Sequence, residues 1–267
     1  MNSISKPITP KISASKLTPF QILTVLLVPI GIFGGNLFAV SDTGSISDTL
    51  FGRVLLTPPG YVFAIWGLIY LGMVTLGVMQ ALLSGRDNPR YQKARVPLIV
   101  NMAFNFAWIA AWGSLNTPLS LPLIAGQLLS AIWIFLSLEA NRERPARGIE
   151  GFIQVASGAY VTWLTLATVL NASCVLVYYK WDGFGIADAN WAVVMMVIAA
   201  LIGLLEIRVW RSVMFSAVFT WAFTGIALRA NQPTSVVIVA VLLALMFLLM
   251  LLSTFLKPQR QSRTLAS

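Results

Sequence analysis

Residues 151–178 read GFIQVASGAYVTWLTLATVLNASCVLVY, an uncharged run long enough to cross a bilayer, for which about 20 apolar residues suffice. Within it Tyr160, Trp163, Ala167, Asn171, Cys174 and Tyr178 follow at steps of 3, 4, 4, 3 and 4, so all six share one helical face. An aromatic and amide stripe is costly to hold against lipid. That face is therefore expected to look into a cavity or onto a neighbouring helix.

Seven more apolar runs flank this one, roughly 19–40, 59–83, 96–113, 119–138, 189–205, 213–228 and 234–256. With 58% apolar and 10% charged residues, and a mean hydropathy of +0.82 over 267 residues, the chain is no ordinary soluble domain. The expected fold class is all-α, a polytopic transmembrane bundle of about eight helices. Charge placement agrees: eight crossings from a cytoplasmic amino terminus leave 15 basic residues inside and only Arg53, Lys180 and Arg229 outside. Both termini are thus expected in the cytoplasm, as tails 1–18 and 257–267, with the first helix uncleaved. The net charge of +9 is spread over tails and loops with few aromatics, so no nucleic-acid partner is expected. Pro29, Gly31, Gly34 and Gly35 in the first run predict a bend and close helix contact.

With no histidine and a single cysteine, Cys174, the chain offers neither a His-bearing metal site nor an internal disulfide. No catalytic residue and no metal ligand is assigned. The nine acidic residues fall in outer loops or at cytoplasmic helix ends, Glu206 among the latter, so no mid-membrane carboxylate is expected.

Two further stripes accompany the first. In the third run Asn101, Asn105, Trp108 and Trp112 recur at steps of 4, 3 and 4, and in the second Phe63, Trp66 and Tyr70 at steps of 3 and 4. Depths counted at about 1.5 Å per residue let the three stripes converge on one outward-opening pocket. Trp66, Trp108 and Trp163 lie too deep for an interfacial belt and either line that pocket or pack between helices. Asn101, Asn105 and Asn171 serve the pocket or act as inter-helical hydrogen-bond glue. Trp112, Tyr178, Tyr179, Trp181, Trp191 and Trp210 read as belt or packing residues.

The runs PPGYVFAIWGLIY (58–70), NMAFNFAW (101–108) and YVTWLTLATVLN (160–171) resemble, in order and spacing, signatures of the TspO/MBR family of tryptophan-rich sensory proteins. That family includes the mitochondrial translocator protein, or peripheral benzodiazepine receptor. The resemblance covers residues from about 20 to 180 and implies a five-helix bundle over 19–180 whose pocket binds porphyrins or sterol-like lipids. By resemblance the ligand-binding residues are Trp66, Asn105, Trp108, Trp163, Ala167 and Asn171, with Tyr61, Phe63, Asn101 and Tyr160 as further pocket residues. The family usually has tryptophan where Tyr61 stands, and one residue more before Trp66. Arg53 and Lys180 are the outer cations that can meet a propionate. Family members often form homodimers, and some have been proposed to degrade porphyrin in light.

Residues 189–256 add three helices, read as a packing or oligomerisation module, whose last helix is lipid-facing over most of its circumference. The expected function is binding of a flat hydrophobic ligand, a tetrapyrrole or sterol-like lipid, in its sensing, regulation or transport, with no cofactor required. Two rivals stand beside it: a multi-pass transporter of small apolar metabolites, and a non-catalytic membrane assembly or regulatory factor.

Overall fold

A computed structural model describes residues 17–38, 54–82, 85, 87–139, 147–210 and 212–256, the side chains of 36 and 38 excepted. Both tails, 1–16 and 257–267, and the loop 39–53 lie outside the described residues. Within them the fold is eight α-helices without a strand, one for each apolar run. These are α1 (Pro19–Phe33), α2 (Ile65–Met79), α3 (Pro89–Gly113), α4 (Thr117–Glu139), α5 (Gly148–Tyr178), α6 (Asp188–Trp210), α7 (Val213–Ala227) and α8 (Thr234–Leu256). Tight 3-10 turns extend α1 through Gly34–Phe38 and introduce α2 through Gly60–Ala64.

Local chemistry sets several of the starts. Thr18 caps α1 in a reciprocal box with Gln21, and Asn88 caps α3 by accepting from the Arg90 backbone N–H at 3.0 Å, each followed by a proline in the first turn. Six of the helices are long and apolar enough to span a membrane, which makes the chain a multi-pass membrane protein. The other two, α1 and α7, have 15 residues each, whereas α2 reaches 20 with the turn that introduces it. At 1.5 Å per residue α7 reaches only about 22 Å.

Two sets of polar contacts define the two ends of the bundle. At the amino-terminal end, Gln21 and Gln80 exchange side-chain-to-backbone bonds at 3.2 Å, Arg95 Nε donates to Gln80 Oε1 at 2.7 Å, and Arg90 pairs with Glu150 at 3.7 Å. At the opposite end the α7–α8 loop holds the segment before α2, and α8 runs back from there. The first and last helices therefore begin and finish at the same end.

The central helix is α5, which packs against α2, α4, α6 and α7. Its two halves serve different cores. Tyr160, Trp163 and Leu164 join α1–α4 in one apolar cluster, whereas Val169, Leu170 and Cys174 join Met196 of α6 and Phe219, Phe223 and Phe247 of α7 and α8 in a second. The opening stripe is thus divided: Cys174 is a packing residue of the second core, and the half-exposed Tyr178 faces the surroundings. Helix α8 buries only Val236, Ala240, Ala244 and Phe247, at steps of 4, 4 and 3, which leaves most of its circumference free for lipid as expected.

The glycines of α1 mark a close crossing. A Cβ on Gly31 would lie 2.6 Å from Met102 Cβ, and one on Gly35 2.7 Å from Ile109 Cβ, so α1 and α3 meet backbone to side chain. One expectation fails. Helix α6 continues past residue 205 to Trp210, so Glu206 sits inside the helix at 6% exposure rather than at a helix end, and its Oε1 accepts from Thr165 Oγ1 of α5. Its Oε2 has no hydrogen-bond partner among the described residues.

Candidate functional site

The three aromatic stripes meet around Trp66. Its ring stacks on Tyr70 at 5.0 Å and lies 6.1 Å from Trp108, 6.1 Å from Tyr160 and 6.2 Å, edge-on, from Trp163. Phe63 adds an edge contact to Trp163 at 5.5 Å, and Trp112 stacks on Trp108 at 6.0 Å. Helices α2, α3 and α5, with the turn before α2, therefore place seven rings in one cluster, in the offset and edge geometries that aromatic quadrupoles favour. Tyr61 does not join it: half exposed, it meets Trp221 of α7 edge-on at 5.9 Å. Tyr61 lies on the 3-10 turn Gly60–Ala64 ahead of α2. Arg53 lies outside the described residues.

The asparagines are tied into the frame beneath the rings. Asn105 Nδ2 donates to the Gly31 carbonyl at 2.7 Å, while its Oδ1 accepts from Gln127 Nε2 at 2.6 Å and from Tyr70 OH at 3.4 Å. Asn101 Nδ2 donates to the Gln127 carbonyl and to Ser130 Oγ, both at 2.9 Å, and its Oδ1 accepts from Tyr160 OH at 2.8 Å. Gln127 Nε2 also donates to Tyr160 OH at 2.7 Å. Five helices are joined by this one buried network. Nearer the opposite end, Asn171 Oδ1 accepts from Ser120 Oγ at 2.9 Å and from Trp108 Nε1 at 3.5 Å. Asn171 thus borders the rings, as does Ala167.

Free space beside the cluster is small. A cavity of about 30 Å³ lies against Trp163, Phe63, Leu166, Ala167 and Leu170, walled by Leu56 and Pro58, which is room for a water or two. The Trp163 indole N–H is buried there without an acceptor among the described residues. A second cavity, of about 240 Å³, opens between the end of α5 and the start of α6, and Leu56 lines that one too. Shallow apolar grooves also follow the outside of α3, beside α1 and beside α4. No group of three or more metal-ligating side chains occurs among the described residues.

The strap Val54–Pro58 roofs the small cavity, and the C-terminal helices hold it. Arg229 Nη1 donates to the carbonyls of Val54 at 2.8 Å and Thr57 at 3.2 Å, and Gln232 Nε2 to that of Leu55 at 2.7 Å. Trp221 Nε1 adds a bond to the Val62 carbonyl at 3.0 Å. Burial lowers the Arg229 pKa from its ordinary value, but arginine does not deprotonate in proteins, so the donor keeps its charge.

Five residues escape the stripe argument. Gln127 was legible as the centre of a buried polar row, Ser120, Gln127, Ser130 and Ser137 at steps of 7, 3 and 7 along α4. Glu206 continues the buried row Ala192, Met196, Ala199, Gly203, and Trp191, which reads as a belt or packing residue, has its indole N–H buried without an acceptor among the described residues. For Arg229 and Gln232 no local signal exists, because their partners are backbone carbonyls more than 170 residues away.

No curated protein and no solved structure matches the chain. A family model described as TSPO-like protein matches residues 19–253, which takes in α6, α7 and most of α8 as well as the bundle that holds the ring cluster. The chain belongs to the TSPO-like protein family.

Proposed function

We propose that this membrane protein binds a flat hydrophobic ligand, a tetrapyrrole or sterol-like lipid, at the cluster of Trp66, Trp108 and Trp163, and senses, regulates or transports it. The observation that carries this reading is Trp163. It is 3% exposed, its N–H lacks an acceptor among the described residues, and it borders a small free space beside the ring cluster, under a strap of non-helical chain. A buried unpaired donor costs about 1–3 kcal/mol, which a ligand carbonyl or a water would recover. Planar rings gain about 0.5–1.5 kcal/mol per aromatic contact beyond area burial. Because about 30 Å³ is far below the roughly 300 Å³ of a small-molecule pocket, binding requires the strap and Phe63 to move outward. Asn105 and Asn171 then act by fixing the walls, with Ala167 leaving space. The amino-terminal end, which carries Arg90, Arg95 and Arg147, faces the cytoplasm.

Titration of purified protein with protoporphyrin IX, read by tryptophan fluorescence, tests this. Saturable quenching is expected, with affinity about tenfold weaker in Trp163→Phe. Unsaturable quenching, or quenching identical in the variant, would sink the proposal. The tightly packed rings favour a second reading, a non-catalytic assembly factor whose cluster is only core, and the same absence of saturation would support it. Flux of apolar metabolites in proteoliposomes without tight binding would instead favour a transporter. Loss of the porphyrin spectrum in light, abolished by Trp163→Phe, is the result that would make the protein an enzyme.

A further inference from the structure

The larger cavity, at the seam of α5 and α6, has a chemistry of its own. Leu56, 6% exposed, stands between it and the space beside Trp163, so the two are separate sites. Its apolar wall includes Leu176, Val177 and Ile186, and among the described residues its rim carries one cation and one anion, Lys180 and Asp188. These two make no ion pair with each other. Trp191 lines the same space, and its indole N–H is buried without an acceptor among the described residues.

The wall between them is held in a costly backbone conformation. Lys180, Gly183, Phe184 and Gly185 all have positive φ, at 54°, 64°, 55° and 74°, and two of the four are not glycine. Trp181 braces this loop edge-on, 4.7 Å from Trp191 and 5.1 Å from Phe184. Exposed Tyr178 and Tyr179 beside it place the cavity at the level of a membrane interface.

We infer that this cavity binds the head group of one zwitterionic aminophospholipid, with phosphate on Lys180, ammonium on Asp188 and an ester carbonyl accepting from Trp191 Nε1. An anionic lipid would meet Asp188, and a cationic amphiphile would meet Lys180. A zwitterion satisfies both charges. A choline head group cannot donate hydrogen bonds to the carboxylate, which leaves a primary ammonium as the matching group. The volume, about 240 Å³, is below that of pockets enclosing whole drug-sized molecules, so the acyl chains stay in the bilayer and only their first carbons touch Leu176, Val177 and Ile186. The site needs α6, and so the C-terminal helices create it.

The test is native mass spectrometry of the full chain released from vesicles of equal parts phosphatidylethanolamine, phosphatidylglycerol and phosphatidylcholine. Phosphatidylethanolamine adducts are expected to dominate by about tenfold, a preference lost in Lys180→Gln and in Asp188→Asn. Both positions are exposed, so the variants fold, and unchanged thermal melts would show it. Equal retention of the three lipids, a preference for phosphatidylglycerol, or a preference that survives both substitutions would overturn the inference. Displacement of the adduct by millimolar leucine would overturn it as well, because the site would then belong to a soluble zwitterion.

Discussion

Asn105→Leu is expected to lower the unfolding free energy by about 2–4 kcal/mol, the largest loss for a single polar side chain in the bundle. The reason is connectivity. From α3, Asn105 reaches α1 through the Gly31 carbonyl, α4 through Gln127 and α2 through Tyr70. Interhelical hydrogen bonds in membranes are worth only about 0.6 kcal/mol on average, so three of them account for about 2. The remainder comes from the groups left behind: a Gly31 carbonyl without this donor at a crossing too tight to admit water, and a buried Gln127 amide that loses its shorter bond. Unfolding of the purified protein in mixed micelles measures the loss. A cycle with Gln127→Leu sharpens it, since removing both partners should cost about 1 kcal/mol less than the sum of the single changes. Strict additivity, or stability untouched by Asn105→Leu, would show that the network does not hold the bundle and that Asn105 is free for a ligand.

That contrast marks what was legible in the chain. Eight apolar runs became eight helices because hydropathy and backbone satisfaction in lipid demand the same thing, and ends such as Gly113 and Tyr178 coincide with the ends of the runs. Spacing alone brought Trp66, Trp108 and Trp163 together, since a stripe can only face inward or outward. The free volume beside them was not legible. It is the space left after α5, α7, the turn before α2 and the strap have packed. Glu206 was misplaced for a different reason: a charge ends a hydropathy run, but a helix ends only where its backbone bonds do, four residues further on at Trp210. The Asn101 and Asn105 stripe was visible, but its choice between ligand and frame depended on Gln127, a partner on another helix.

Arg229→Gln together with Gln232→Ala is expected to raise the chemical accessibility of the strap about a hundredfold. Three bonds from these two side chains end on the carbonyls of Val54, Leu55 and Thr57, and a charged donor makes two of them. At about 1 kcal/mol each their loss lowers the opening free energy by about 3 kcal/mol. The readout is maleimide labelling of Leu56→Cys in a Cys174→Ala background, which removes the native cysteine. Leu56 is the strap's own inward-facing, buried side chain, so labelling waits for opening, and when reclosing is fast the rate follows the opening equilibrium. A rate unchanged by the double substitution would mean that the packing of Val54 and Leu56 against α6–α8 keeps the strap down without the latch. If the rate rises as expected, access to the space beside Trp163 is set from the α7–α8 loop. The C-terminal helices then govern the aromatic site through backbone carbonyls, without contributing a ring to it.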